Sequence, residues 1–261
     1  MNNIIRAFYF LFHVGLGCVM SFLPVYLKTE GFTGTQISSI ISLGALFGLF
    51  GVPMLWGWIS DRIQKPQLVL KMLAFGTFAG VIPLLIFKTY WPIFGTFFIY
   101  SFSSIGIMGI LDSIASVRAE QKGVDFGRMR LFAPAGWLVG SVGLGYYIDL
   151  TGRTWNDISV IIAMVLSFGL MFLISLGMKK TAYEKQDRPT FSEIKKLFKN
   201  SYLVVFYVMA MINIMGIAAY WVYFGPLIEH LGLSPSVVGL AIGVGTLSEV
   251  IFMFFFDKFK K

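Results

Sequence analysis

The chain has 261 residues, of which 57% are hydrophobic and only 13% are charged. Soluble domains are typically about half apolar and about a quarter charged, so this chain has too few polar side chains to cover a surface in water. The composition excludes an ordinary soluble protein and predicts an integral membrane protein. A net charge of +8 is also typical of nucleic-acid binding, but the positions of the cations explain it differently.

Eight apolar segments are long enough to cross a bilayer as helices, because a hydrocarbon core of ~30 Å needs about 20 residues. They lie at residues 4–27, 36–59, 67–87, 92–115, 131–149, 158–178, 202–226 and 237–256. The first segment lacks a small-residue cleavage site, so it is predicted to be retained rather than removed as a signal peptide. The sequence therefore predicts an all-α, multi-pass membrane protein.

The cations are distributed unevenly between the two ends of these segments. If the N-terminus is cytoplasmic, the outer connections hold only Lys28, Lys88 and Arg153 of the 21 lysines and arginines. The positive-inside rule then predicts a cell-membrane protein with both termini in the cytoplasm. The net charge is explained by this topology and by contact with anionic lipid of the bilayer, and no nucleic-acid partner is predicted.

One connection is long and polar, and it divides the chain into two parts. The linker 179–201 separates six segments in residues 1–178 from two segments in residues 202–261. Inside the linker, Thr190-x-x-Glu193 predicts a capping box and a short helix lying at the inner membrane surface. A disordered connection is the alternative for the first half of the linker.

A weak repeat crosses this linker. The stretch EGFTGTQISS precedes the second segment, and HLGLSPSVVG precedes the eighth. In both, a glycine (Gly31, Gly232) suits a tight turn, and the hydroxyl residue that follows (Thr33, Ser234) suits a helix N-cap. The second part is therefore predicted to restart the pattern of the first.

The connection between the second and third segments reads GWISDRIQK and begins at Gly57. Gly57 lies one helical turn before Asp61, a spacing that favours the close approach of two helices. The stretch resembles the G-x-x-x-D-[RK]-x-G-[RK] signature of the major facilitator superfamily, with Gln64 in place of the usual glycine. The resemblance implies a cytoplasmic gate at Asp61 and Arg62, together with the flanking Gly57 and Lys65.

The same resemblance implies a fold and a domain organisation. Residues 1–178 would form the six-helix N-terminal half of a major facilitator, and residues 202–261 the first two helices of the second half. Because two six-helix halves exceed the eight predicted segments, the chain is expected to be truncated after its eighth helix. The alternatives are a non-transporting membrane protein or interaction module, and a membrane enzyme, which would need a catalytic cluster that the sequence does not offer.

Asp112 lies in an otherwise apolar run of the fourth segment. A charged carboxylate at the centre of a membrane helix costs about 2.5–3.5 kcal/mol, so a compensating cation is expected. Arg130 enters the fifth segment from the same side, which predicts a bidentate pair between neighbouring antiparallel helices. Trp137 follows Arg130 by two turns on the same face. The alternatives are that Arg130 anchors the helix at the interface and that Trp137 faces lipid.

Other polar residues inside the segments are weaker candidates. Glu249 in the eighth segment is a lone intramembrane carboxyl and therefore a candidate functional residue; the alternative is a neutral carboxyl that holds helices together. Its position resembles the acidic position in helix eight of the major facilitator superfamily, which implies solute binding and proton coupling at Glu249. Asn213 and Tyr220 in the seventh segment are predicted to line a cavity or to bond between helices. His13 in the first segment is a candidate proton carrier.

The stretch DFGRMRLFAPAGW, with an acidic residue eighteen positions before its second arginine, resembles the lactose-permease-type oligosaccharide:proton symporters. It is also similar to the phenylpropionate-transporter-like and nucleoside:proton symporter-like branches. The resemblance implies substrate contact at Asp112 and Arg130, ring stacking at Trp137, and proton coupling at Glu249 and Asp112. The expected function is proton-coupled symport of a sugar, nucleoside or aromatic acid, without a cofactor or metal.

Overall fold

A computed structural model of the chain describes residues 1–155, 157–179 and 199–259. Most of the linker 179–201, including the predicted capping box at Thr190 and Glu193, lies outside these residues. The α-helices are α1 (Asn2–Thr29), α2 (Gly34–Ile41), α3 (Leu43–Leu49), α4 (Val52–Ile63), α5 (Pro66–Val81), α6 (Tyr90–Lys122), α7 (Phe126–Arg130), α8 (Phe132–Leu138), α9 (Leu144–Leu150), α10 (Ser159–Leu176), α11 (Ser201–His230) and α12 (Pro235–Phe259).

These helices account for all eight predicted segments. In the described part of the chain, five helical stretches are long and apolar enough to cross a membrane, and a bent pair, α3 and α4, makes a sixth. The seventh and eighth segments are the helices α11 and α12, whose apolar stretches Ser201–Asn213 and Pro235–Ser248 are shorter. The all-α prediction is therefore confirmed.

The second predicted segment is not one straight helix. Residues 36–59 fall in α2, α3 and α4, and α3 meets α4 at an angle of 63°. Gly51 separates α3 from α4 with a positive φ of 73°, a conformation that glycine adopts without strain. Pro53 then stands in the first turn of α4, where its missing N–H leaves no helical bond unmade. The bend thus follows from two adjacent residue choices.

The fifth predicted segment is also interrupted. It comprises α7, α8 and α9, with a π-helical turn at Val139–Gly143 between α8 and α9. Asp125 caps its start, because its carboxylate accepts a hydrogen bond from the amide of Gly127 at 2.8 Å. We refer to this whole stretch, Phe126–Leu150, as the α7–α9 segment.

Helix α1 is the centre of the six-segment bundle and packs against α8, α10 and α11. Phe8, Tyr9 and Phe12 are buried on it. The α7–α9 segment approaches α1 closely at two glycines: a Cβ at Gly136 would overlap the carbonyl oxygen of Phe10, and one at Gly140 would overlap that of Val14. Small residues allow this approach of two backbones.

The two sides of the bundle differ in how they meet α11 and α12. The N-terminal side holds the start of α1 and the connection between α4 and α5; the far side holds the connections after α1, α5, α9 and α11. Residues 201–213 of α11 are almost all exposed, whereas Gly225 packs on Ser21 and Val25 of α1 near the far side. The helix pair therefore closes on the bundle at the far side and stands apart from it at the N-terminal side.

Both predicted helix restarts contain the expected glycine turn. Gly31 and Gly232 have positive φ angles of 90° and 70°. Thr33 caps α2 in a capping box with Gln36, as predicted. At α12, by contrast, the amide of Ser236 donates to a carboxylate oxygen of Asp149, which belongs to α9. The second restart is thus tied to the bundle.

Gln64 shows why the signature between the second and third segments usually carries glycine. It ends α4 in the left-handed region (φ 53°, ψ 32°), and it is the one non-glycine residue with a positive φ in the part of the chain that the structure describes. This conformation costs an L-residue about 1–2 kcal/mol. The departure from the signature at Gln64 is therefore a local strain.

Replacing Gln64 with glycine is expected to stabilise the protein by about 0.5–1 kcal/mol, since relief of the strain exceeds the added freedom of the unfolded chain. The thermal unfolding midpoint of the purified protein in detergent measures this. Gly123→Ala is the matched control, because Gly123 ends α6 with φ 59° and should lose stability instead. A lower midpoint for Gln64→Gly would show that the side chain of Gln64 makes a needed contact.

Candidate functional site

A cavity of about 660 Å³ lies between the bundle and the α11–α12 pair. Small-molecule sites usually enclose about 300–1,000 Å³, so this cavity has the size of a solute site. It is lined by residues of α1, α6, the α7–α9 segment, α11 and α12, namely His13, Met108, Arg130, Ala133, Pro134, Trp137, Tyr220, Ala241, Ile242, Gly245 and Thr246. Both parts of the chain therefore contribute to its wall.

Asp112 and Arg130 meet at the edge of this cavity. An Nη atom of Arg130 lies 3.8 Å from an Oδ atom of Asp112, and the two side chains are 46% and 29% exposed. The predicted ion pair is present, but its predicted bidentate geometry is wrong, because 3.8 Å is too long for a hydrogen bond. Helix α6 continues to Lys122, beyond residue 115 where the predicted segment ends, so Asp112 lies about three turns from the end of the helix.

Tyr9 explains why Asp112 and Arg130 are not hydrogen-bonded to each other. Its hydroxyl donates a hydrogen bond of 2.5 Å to the other carboxylate oxygen of Asp112, and the side chain is fully buried on α1. Tyr9 thus fixes the carboxylate while the guanidinium of Arg130 keeps donors free for the cavity. The sequence reasoning missed Tyr9 because it lies in an aromatic-rich run. A buried tyrosine hydroxyl needs a partner, and this was the available signal.

Trp137 lies on the cavity wall with Arg130, as the seven-residue spacing predicts. Its position is set by the π-helical turn that follows it, where the hydroxyl of Ser141 donates to the carbonyl oxygen of Trp137 at 2.8 Å. Single π-helical turns of this kind are frequent at functional sites. Contact between Trp137 and a solute stays a prediction.

Helix α11 contributes Tyr220 and not Asn213. Tyr220 lines the cavity, and its ring centroid lies 4.6 Å from that of Phe224. Asn213 is exposed and does not belong to the cavity wall. Asn213 lies in the half of α11 that stands apart from the bundle, and solute binding by Asn213 stays a prediction. The side chain of Glu249 lies outside what the structure describes, so its role stays a prediction.

The predicted gate lies at the end of α4, on the N-terminal side. The guanidinium of Arg62 stands over the ring of Trp58, with 5.3 Å to the ring centroid. A Cβ at Gly57 would meet no atom within 4 Å, so the predicted close approach at Gly57 is wrong. The close contact uses Gly106 of α6 instead, which packs on the ring of Trp56. Gating by Asp61, Arg62 and Lys65 stays a prediction.

Polar contacts join the bundle to the helix pair at the far side. The ammonium group of Lys28 at the end of α1 lies 2.5 Å from a carboxylate oxygen of Glu229 in α11. Asp149 of α9 accepts the hydrogen bond from Ser236 at the start of α12. A carboxylate at a helix N-terminus is favoured by the helix dipole. These contacts hold the bundle and the helix pair together at the far side.

Replacing Lys28 with methionine is expected to raise the fraction of molecules in which the bundle and the helix pair are separated at the far side. The ion pair between Lys28 and Glu229 is partly exposed and stabilises the contact at the far side by about 1 kcal/mol or less. The fraction of molecules separated there should therefore rise by about fivefold at most. The readout is the alkylation rate of a cysteine at Ala241, in a chain with Cys18→Ala, by a membrane-impermeant maleimide supplied from the far side. Ala241 is exposed on the cavity wall.

Lys88→Met is the matched control, because Lys88 pairs with Glu30 at 2.9 Å on the same side but within the bundle. Its loss should leave the alkylation rate unchanged. The exchanged pair Lys28→Glu with Glu229→Lys should restore the original rate. An unchanged rate in Lys28→Met would mean that the pair does not hold the far side closed.

The chain was also compared with known proteins. Residues 3–260 match the sequence profile of the MFS_1 like family. The uncharacterized transporter YwbF of Bacillus subtilis (strain 168) is 27% identical over 265 residues, which cover 98% of this chain and 63% of the relative. The maltose permease of Geobacillus stearothermophilus is 26% identical over 256 residues, which cover 97% of this chain and 63% of the permease.

A solved structure shares the fold. The crystal structure of the nucleoside transporter NupG superimposes with a TM-score of 0.78 at 17% identity, and the match covers 99% of this chain and 67% of that one. The chain therefore spans about two thirds of the length of the proteins that it resembles. At this level of identity the likeness shows the fold alone.

Proposed function

Because the chain belongs to the MFS_1 like family, we propose that it acts in secondary active transport of a small organic solute, coupled to protons, by alternating access. It is a multi-pass membrane protein with the fold of a major facilitator N-terminal half followed by two further helices. Two relatives that match almost the whole chain are a transporter and a permease. The solute proposed is a sugar, a nucleoside or an aromatic acid.

One observation carries this proposal. The cavity of about 660 Å³ has an ion pair, Asp112 with Arg130, at its edge and an indole, Trp137, on its wall. A guanidinium with free donors suits hydroxyl or carboxylate oxygens of a solute, and an indole face suits a flat ring. The site is built from both parts of the chain, so a movement of one part against the other would expose it to alternate sides.

The orientation belongs to the same proposal. With both termini cytoplasmic in the cell membrane, the far side that holds Lys28, Lys88 and Arg153 is the outer side. The contacts between Lys28 and Glu229 would then close the outer side, and the described conformation would be open to the cytoplasm. Transport would require these contacts to break and the N-terminal side, with Asp61 and Arg62, to close.

Proton coupling is assigned to Glu249 together with Asp112. A carboxyl within the membrane carries a proton only if it can change its protonation during the cycle, so Glu249→Gln should leave solute binding intact and abolish accumulation driven by a pH gradient. Asp257→Asn, near the C-terminal end of the same helix, is the matched control, and this variant should accumulate solute as the unmodified chain does.

The test measures accumulation of radiolabelled maltose, uridine and 3-phenylpropionate in cells that make the chain, with and without a protonophore. At least one compound should accumulate, and the protonophore should abolish its accumulation. Accumulation that survives the protonophore would contradict proton coupling. If none of the three compounds accumulates or binds, the proposed function is contradicted.

A further inference from the structure

His13 lies on the cavity wall, and its ring is held in one orientation. Its Nδ1 atom lies 2.8 Å from the carbonyl oxygen of Tyr9, one helical turn earlier on α1. The ring of Phe12 meets it edge to face, with centroids 5.4 Å apart and an interplanar angle of 89°. Tyr9 is itself fixed by its hydrogen bond to Asp112. The imidazole therefore belongs to the same fixed cluster as the ion pair.

The bond to Tyr9 determines which ring nitrogen carries the proton. A carbonyl oxygen can only accept a hydrogen bond, so Nδ1 of His13 must be the donor. In the neutral imidazole the other nitrogen, Nε2, then has no proton and presents a lone pair. Among the residues that the structure describes, no hydrogen bond to Nε2 is formed. Nε2 is therefore an acceptor that remains available to a molecule in the cavity.

This acceptor is unusual among the side chains of the described cavity wall. Arg130 and Trp137 carry only donors, and Tyr220 and Thr246 carry hydroxyl groups that can donate or accept. Apart from the weakly accepting thioether sulfur of Met108, His13 alone among the side chains of the described wall offers an acceptor without a proton of its own. A solute hydroxyl or N–H can satisfy it. A solute carboxylate cannot satisfy Nε2 of the neutral imidazole, because both groups would bring lone pairs to the same place.

We propose that His13 is a specificity-determining residue of this cavity: Nε2 accepts a hydrogen bond from an O–H or N–H of the bound solute and selects against a carboxylate at that point. This rests on the proposed function, because it assigns a role within the same solute site. Arg130 and His13 would then recognise different parts of one solute, an oxygen by the guanidinium and a donor by the imidazole.

The protonation state can be measured without knowing the solute. The chain contains two histidines, so protein labelled with ¹⁵N-histidine gives signals from His13 and His230 only, and His230→Gln assigns them. At neutral pH, His13 is expected to be a neutral ring with its proton on Nδ1. A doubly protonated ring, or a proton on Nε2, would overturn the proposal.

Selectivity is measured by equilibrium binding of three matched pairs to the full chain in detergent: glucose with glucuronate, uracil with orotate, and benzyl alcohol with benzoate. Arg130 can bind the carboxylate members, so the quantity to compare is the ratio of the two affinities. In a pair that binds, His13 should shift this ratio about tenfold toward the neutral member, the worth of one hydrogen bond. His13→Leu should remove this preference, while His13→Gln, which retains an acceptor oxygen, should keep most of it.

The outcomes separate the two proposals. Binding with the same preference in His13→Leu as in the unmodified chain would overturn the role of His13 and leave the proposed function standing. A shift of the affinity ratio toward the neutral members in His13→Leu would also overturn it. If none of the six compounds binds, the result would count against the solute site itself, and selection by His13 would be contradicted together with it.

Discussion

Replacing Asp112 with asparagine is expected to weaken solute binding by about thirtyfold. The change removes the carboxylate charge that lies 3.8 Å from Arg130, while the amide oxygen can still accept the hydrogen bond from Tyr9. A solute bound in the cavity would cover the pair and remove it from water, and loss of one partner of a charge pair buried in this way costs about 2–5 kcal/mol. The lower end applies because both side chains are partly exposed without solute. Binding of radiolabelled maltose and uridine to the purified chain measures the effect.

Two variants separate the charge from its surroundings. Tyr9→Phe removes the hydrogen bond to Asp112 but keeps the ion pair, so it should weaken binding by less than Asp112→Asn does. Asp125→Asn removes the carboxylate of another pair, with Arg128 at 3.9 Å, which is largely exposed and outside the cavity wall. It should leave binding unchanged. If Asp112→Asn binds as tightly as the unmodified chain, Asp112 has no part in the site.

Replacing Gly140 with alanine is expected to destabilise the protein by about 1–3 kcal/mol, the usual range for overpacking. A Cβ there would overlap the carbonyl oxygen of Val14, and a backbone atom cannot turn aside as a flexible side chain can. Helix α1 and the α7–α9 segment would have to separate, and this would also displace Trp137 on the cavity wall. Binding should therefore weaken together with stability.

The control for Gly140 lies one turn away. A Cβ at Gly143 would meet no atom within 4 Å, so Gly143→Ala should leave the unfolding midpoint unchanged or raise it slightly, because alanine restricts the unfolded chain. Thermal unfolding of both variants in detergent provides the comparison. Equal midpoints for the two variants would contradict this prediction, because they would mean that α1 and the α7–α9 segment can move apart without loss of stability.

The positions of the helices were predictable from the sequence because length and hydropathy determine what can cross a membrane. The interruptions were less visible. Gly51 and Pro53 do mark the bend between α3 and α4, but both residues also occur within membrane helices without breaking them. The π-helical turn at Val139–Gly143 leaves no sequence pattern of its own, since it depends on how this segment packs on α1 and α12.

The site was predictable where it depends on spacing along one helix. Arg130 and Trp137 share a face because seven residues make two turns, and Asp112 needed a cation wherever it lay. Contacts between distant helices were not predictable. Tyr9 meets Asp112 across 103 positions of the chain, and Gly57 does not make the close contact that its neighbour Trp56 makes with Gly106. That Asn213 does not line the cavity was not predictable either, because a polar residue in a segment does not reveal which half of the helix meets the bundle.

The account depends on a solute that binds beside Arg130 in the cavity. Alkylation of a cysteine placed at Ala241, in a chain with Cys18→Ala, tests this most directly, because Ala241 is exposed on the cavity wall. At least one compound from a panel of sugars, nucleosides and aromatic acids should slow the alkylation by N-ethylmaleimide, and the protection should be lost with Asp112→Asn. Alkylation at the same rate with every compound of the panel would contradict the account.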